Sequence, residues 1–331
     1  MTRTKQILSI MLIFLLTFSF AACAGGEHDT PPAEKVDVNV FVLTGPTGVG
    51  AVSMMQQAEN GNGLENYHIT AVSAPTEIVS KISNGEADIA AISTNLAAKL
   101  YQVTDGEVQI LAVNTLGVLY VLTNAGTEVE SLADLAGKTV YTTGKGANPE
   151  YIINYLLEKN GLDPEKDLTI EYKADGNELT AVWAQDPTAV IIAPQPAATA
   201  ITLRYEGSSA ALDLTEEWEK VSPDSALMMG CIIARKAFIN ENPDTISHFL
   251  TDYEASVRQT EIDPDQTAAL CETYGIVAKA EIAKKALPAC NICFITGEEM
   301  KSGLTGYLEV LLSQDPQSIG GKLPDEGFWY E

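Results

Sequence analysis

The chain has 331 residues, 46% of them hydrophobic, and sets 20 Lys and Arg against 45 Asp and Glu for a net charge of −25. That length exceeds one small core and predicts two lobes. The acidity argues against nucleic acid or an anionic membrane surface as a partner.

Arg3 and Lys5 precede an apolar run over residues 7–20, which ends at Phe20-Ala21-Ala22-Cys23. A basic start, an apolar stretch and small residues make an export signal. The run is too short for a comfortable membrane span and is soon broken by Gly25-Gly26. The residues before Cys23 resemble a bacterial lipobox, with Phe20 in the place where Leu is usual. The resemblance implies a signal peptide over 1–22 and lipidation of Cys23; ordinary secretory cleavage nearby is the alternative. Either outcome places the mature protein outside the cytoplasm; with Cys23 lipidated, its anchor in the membrane would be the lipid alone. Residues 23–35 are polar and carry Pro31-Pro32, the composition of a tether.

Residues 36–43 open with apolar–polar alternation and predict a strand. The loop Thr44-Gly45-Pro46-Thr47-Gly48-Val49-Gly50 follows, then a helical pattern over 51–58. A strand, a glycine-rich turn and a helix start offer backbone N–H groups and the positive end of a helix dipole to something polar or anionic. Further strands are expected at 67–72, 87–92 and 108–113, with helices at 77–83 and from 96. Four strand ends in a row carry hydroxyls and amides: Thr44 and Thr47; Ser73 and Thr76; Ser93, Thr94 and Asn95; Asn114 and Thr115. Each alone suits a turn or a helix cap; together they favour a shared polar site beyond the carboxyl ends of a mainly parallel sheet.

An apolar strand over 117–122 leads to a capped segment at Ser131, and a second run of strand and helix begins at Gly137. Strands are expected there at 137–141, 168–172 and 189–193. Thr142-Thr143-Gly144-Lys145-Gly146 leads into a helix at Pro149, a residue suited to a first turn. Residues 226–234 predict a strand returning to the first lobe, with Gly230 relaxing the backbone of the crossing. From 242 onward the pattern is mostly helical. Cys290-Asn291-Ile292-Cys293 has a metal or redox spacing, but the three histidines, His28, His68 and His248, are scattered. Buried thiols or one disulfide are expected instead, with no metal and no cofactor.

Several stretches resemble one family. Asn84-Gly85-Glu86-Ala87-Asp88-Ile89-Ala90 is similar to the G-x-x-D strand of periplasmic-type solute-binding proteins. Leu132-Ala133-Asp134-Leu135-Ala136-Gly137-Lys138 resembles their lead-in to the second lobe. Asn160-Gly161-Leu162-Asp163-Pro164 and Arg235-Lys236-Ala237-Phe238 with Asn242-Pro243 also fit. In order and spacing, over about 36–263, these look like the nitrate/sulfonate/taurine and thiamine-pyrimidine class of ABC-transporter substrate-binding lipoproteins. The resemblance implies a type II, two-lobed α/β protein closing on a small solute, working as a monomer with a permease. Lobe 1 would hold 36–119 and 226–331, and lobe 2 would hold 120–225.

The enzymatic alternatives rest on the same loop. As a phosphate-binding loop it lacks the lysine, since Ala51 and Val52 stand where Lys and Ser or Thr belong. An exported α/β enzyme using this loop and Lys145 is the other reading, because Tyr141 and Lys145 have the Tyr-x-x-x-Lys spacing of short-chain dehydrogenases. That spacing works on a helix, and here it falls on a strand and loop. The binding reading draws its contacts from Thr44, Thr47, Gly48, Thr76, Ser93, Thr94 and Asn95 in lobe 1. Thr143, Lys145, Gly146 and Gln195 supply those of lobe 2. Lys145 and Glu77 would suit a zwitterion; a pyrimidine would call on Tyr101, Tyr120 or Tyr151.

Overall fold

The computed structural model describes residues 34–331. The expected leader, Cys23 and the tether up to residue 33 lie outside the described residues. Alternation makes β1 (Asp37–Leu43) a strand with Val38, Val40 and Val42 buried. The single turn α1 (Pro46–Val49) and α2 (Val52–Glu59) follow, then β2 (Asn66–Val72), parallel to β1. Helix α3 (Pro75–Ser83) buries Ile78 and Ile82 one turn apart and ends at Asn84. Gly85, at φ 79°, takes the left-handed turn that a side chain would oppose. β3 (Ile89–Ser93), α4 (Thr94–Val103) and β4 (Val108–Thr115) complete the first pass.

After a crossing at 116–118 come β5 (Leu119–Thr123), β6 (Thr139–Thr142), α5 (Asn148–Lys159) and β7 (Thr169–Tyr172). Then follow α6 (Gly176–Gln185), β8 (Val190–Pro194), α7 (Ala197–Arg204), β9 (Ser209–Asp213) and α8 (Leu214–Val221). The chain returns to β10 (Gly230–Arg235), α9 (Lys236–Glu241), α10 (Pro243–Ile262), α11 (Pro264–Thr273), α12 (Ala280–Ala286), β11 (Ile292–Ile295) and α13 (Gly297–Gln314). The first sheet runs β11-β4-β10-β3-β1-β2 and the second β7-β6-β8-β5-β9. Both are mixed rather than mainly parallel. β10 lies antiparallel between β3 and β4, and β5 antiparallel between β8 and β9, because these strands carry the chain in from the other half.

This topology aligns the carboxyl ends of β1, β2, β3 and β4 with the start of β10. It likewise aligns the carboxyl ends of β6, β7, β8 and β9 with the start of β5. Both crossings leave from these edges, so the two edges face each other. Three expectations change. The strand expected from 226 begins at Gly230, and 226–229 is the crossing itself. Gly230 sits in register with Ser93 and Thr115; a Cβ there would lie 2.7 Å from Asn114 Oδ1, so its role is close packing rather than a relaxed backbone. The region after 242 also contains β11, and its tail bridges Trp329 to Ile110 of β4.

The motifs that carried the family resemblance build this frame. Asp88 pairs with Arg235 at 2.5 Å and accepts the Asn39 N–H at 2.9 Å, tying β1, β3 and β10 together. Asp134 accepts the Glu130 and Ser131 N–H groups in a capping box. Helix α13 packs on α5, and its Tyr307 ring lies 5.5 Å from that of Trp218 in α8.

Candidate ligand-binding cleft

On the first sheet's edge, the loop after β1 is held by the protein itself. The Thr44 N–H bonds Val72 O at 2.9 Å, Gly45 N–H bonds Ile276 O at 2.9 Å, and Gly48 N–H bonds Gly45 O at 3.1 Å. A Cβ on buried Gly48 would stand 2.4 Å from Leu43 O, so glycine lets the loop fold back on its own strand. The Thr47 carbonyl accepts from Asn114 Nδ2 at 2.9 Å, and that amide also reaches the Tyr253 hydroxyl at 2.9 Å. The amides expected to face a ligand are thus largely spent on the loop, while its side chains remain.

Thr44, Thr47 and Ser93 on this edge, and Thr143 opposite, are half-buried. Their hydroxyls have no hydrogen-bond partner among the described residues. Thr94 and Asn95 are turned elsewhere. Fully buried Thr94 donates its hydroxyl to Met228 O at 2.7 Å and its N–H to Met229 O at 3.1 Å, pinning the second crossing. Asn95 reaches Ser318 O at 3.5 Å. Thr76 and Glu77 are exposed in the first turn of α3.

On the second sheet's edge, Lys145 and Gly146 are exposed. Lys145 Nζ lies 5.7 Å from the Tyr172 ring centre, whereas Lys173 covers the Tyr141 ring at 4.9 Å. Each of the Tyr141 and Lys145 pair has a different neighbour, and the dehydrogenase-like pairing does not form. Gln195, buried at the end of β8, accepts the Thr199 hydroxyl at 2.8 Å through Oε1. Tyr120 sends its hydroxyl across to Ala289 O at 3.0 Å, linking β5 to the segment before β11. Burial, then the nearby Asp213 carboxylate, push the Tyr120 hydroxyl pKa upward. Asn291, at φ 46°, donates to Gly117 O at 2.6 Å and fixes the first crossing.

Asp213 and Asn148 also stand at this edge and were not anticipated. β9 shows no strong alternation, so the pattern of the sequence does not mark its end. The run Asp213-Leu214-Thr215-Glu216, an N-cap followed by a first-turn acid, was the available signal.

Chemistry needing a nucleophile finds little here. Cys231, Cys271, Cys290 and Cys293 are free thiols. Burial pushes Cys271, Cys290 and Cys293 up to about 12, and Cys231 upward as well. Among the described residues no group of three or more His, Cys, Asp or Glu side chains could hold a metal ion. A cavity of about 990 Å³ opens beside Glu150, Glu158, Leu162, Pro164 and Ile170, but it lies along α5 and β7 and not between the two edges.

Two sheets, each flanked by helices and facing each other across two crossings, define a type II periplasmic-binding-protein fold. Residues 62–267 match the NMT1/THI5-like family model, and the chain belongs to that family. Solved structures share the fold at low identity. An ABC transporter protein from Parabacteroides distasonis has 20% identity and TM-score 0.75, with 89% of this chain and 98% of that one covered. The periplasmic aliphatic sulphonate binding protein SsuA from Escherichia coli has 14% identity and TM-score 0.72, with coverages of 89% and 92%. The periplasmic nitrate-binding protein NrtA from Synechocystis has 12% identity and TM-score 0.56, with coverages of 77% and 70%. No curated protein sequence matches.

Proposed function

We propose that the protein is the extracytoplasmic solute-binding component of an ABC importer, tethered through lipidated Cys23. It works as a monomer, captures a small polar organic solute between its two sheets and delivers it to a permease. The observation that carries this reading is the set of half-buried hydroxyls of Thr44, Thr47, Ser93 and Thr143, left without partners on the two facing edges. Hydroxyls that are half-buried and not bonded to protein are open to water, and a solute can exchange its own water shell for them. The likeness to sulphonate- and nitrate-binding proteins gives the same direction.

The protein binds and does not catalyse. In support, the two described histidines sit away from the cleft: His68, on β2, faces Asp37 on β1, and His248, on α10, bonds Glu65. The thiols are held protonated by burial. The test is a thermal-shift and calorimetric screen across sulfonates, nitrate, pyrimidines, amines and amino acids, because a ligand of the folded state alone raises the melting temperature. Small-angle scattering should show a smaller radius of gyration with the solute that binds. A flat response across the whole panel refutes the binding reading. Incorporation of labelled lipid that survives Cys23→Ala refutes the anchor.

A further inference from the structure

This inference rests on the solute-binding reading and concerns which solutes the cleft accepts. An oxyanion needs cations or free N–H groups, and the cleft edges offer few. Among the described residues Arg235 is paired with Asp88, Arg258 is paired with Glu254, and Arg204 lies over the Tyr205 ring. Lys173 pairs with Glu171 at 3.0 Å, and Lys145 rests over Tyr172. The start of α5 already has an internal anion, since the Glu150 carboxylate accepts the Gly146 N–H at 2.5 Å. At the other edge α1 is a single turn beginning with Pro46, and the loop amides of Thr44, Gly45 and Gly48 are bonded to protein carbonyls.

Acceptors stand in their place. Asp213 ends β9 directly opposite Tyr120 on β5, so the two side chains share one face of the sheet. One carboxylate oxygen takes the Thr215 N–H at 2.7 Å. The Tyr120 hydroxyl donates to Ala289 O at 3.0 Å and also lies close enough to Asp213 for the carboxylate to raise its pKa; a neutral phenol leaves the negative charge of Asp213 in place. Asn148, the first residue of α5, is 5% exposed, and its side-chain carbonyl oxygen has no hydrogen-bond partner. The Thr215 hydroxyl oxygen is also buried and unpartnered beside the first crossing, where a Cβ on Gly117 would lie 2.1 Å from it. A buried acceptor without a donor is costly, and an incoming N–H group removes that cost.

We infer that Asp213 is the specificity-determining acceptor of the cleft, selecting solutes that bring an amine or another N–H donor and rejecting simple oxyanions. The alternative is that Asp213 only caps α8, and Asp213→Asn separates the two. Asparagine caps a helix about as well as aspartate but carries no charge. Calorimetry on the purified protein uses ethanolamine and 4-aminopyrimidine as N–H probes, and nitrate and methanesulfonate as oxyanion probes. The expected result is binding of an N–H probe, weakened roughly tenfold to a hundredfold in Asp213→Asn, as for loss of a hydrogen bond to a charged group. The melting temperature of the unliganded variant should stay unchanged. Should that variant fail to fold, Asp213→Ser, also a cap, takes its place. Equal binding of the N–H probe by wild type and variant, or tight binding of an oxyanion by wild type, overturns the inference and leaves the solute-binding reading standing. Binding of none of the four probes overturns it too; only a flat response to the full panel removes the reading beneath it.

Discussion

Thr94 tests whether a polar residue at a strand end serves the solute or the hinge. Its side chain is wholly buried, and the hydroxyl donates at 2.7 Å to the Met228 carbonyl in the second crossing. Thr94→Val keeps the shape and removes only that donor, leaving the Met228 carbonyl short of a partner where water does not reach. Such a loss costs about 1–3 kcal/mol. A large domain loses about 2–4 °C of melting temperature per kcal/mol, so the variant should melt roughly 2–12 °C lower. Differential scanning fluorimetry without ligand reads this directly, and calorimetry with any solute found by the screen reads affinity. The expected pattern is a lower melting temperature with affinity changed less than threefold. An unchanged melting temperature with binding abolished would put the hydroxyl in the cleft and refute the reasoning.

The C-terminal tail should matter as much as any core strand. Phe328 is fully buried and stacks edge-on to Tyr101 at 5.2 Å, so Phe328→Ala should cost about 3–5 kcal/mol in denaturant unfolding. Asp88→Ala should leave Arg235 with an uncompensated, largely buried charge and cost about 3 kcal/mol or more; a midpoint within error of wild type would count against that pair as the brace of the first sheet. Glu65 gives a pH signature. Burial opposes its ionisation, but the His248 side chain, the Val36 N–H and the Thr245 hydroxyl outweigh it and hold its pKa below the usual 4.5. A depressed carboxyl contributes stability that is complete above pH 4.5 and lost as pH falls through the lower folded value. Urea midpoints of wild type and Glu65→Gln should therefore converge as pH drops from 5 to 3, and a constant gap would refute the assignment.

Local pattern determined much of this protein. Val38, Val40 and Val42 wrote β1 by alternation, Ile78 and Ile82 wrote α3 by helical spacing, and Asn84-Gly85 marked its end, because each of these signals lies within one element. The motifs around Asp88, Asp134 and Arg235 that resembled the family are structural, since in this chain they are a brace of the first sheet and a cap. Sequence order could not say which way β5 and β10 run, since antiparallel insertion depends on where the crossings deliver them. Nor could it divide the polar residues at the strand ends. Thr44 and Thr94 look alike in the sequence, yet the hydroxyl of one has no partner among the described residues and the other gives both its donors to Met228 and Met229. Asp213 and Tyr120 are 93 positions apart and become cross-strand neighbours only when β9 pairs with β5. Hydrogen bonds between distant segments decide which polar groups are left over for a solute, and that remainder exists only once the chain has folded.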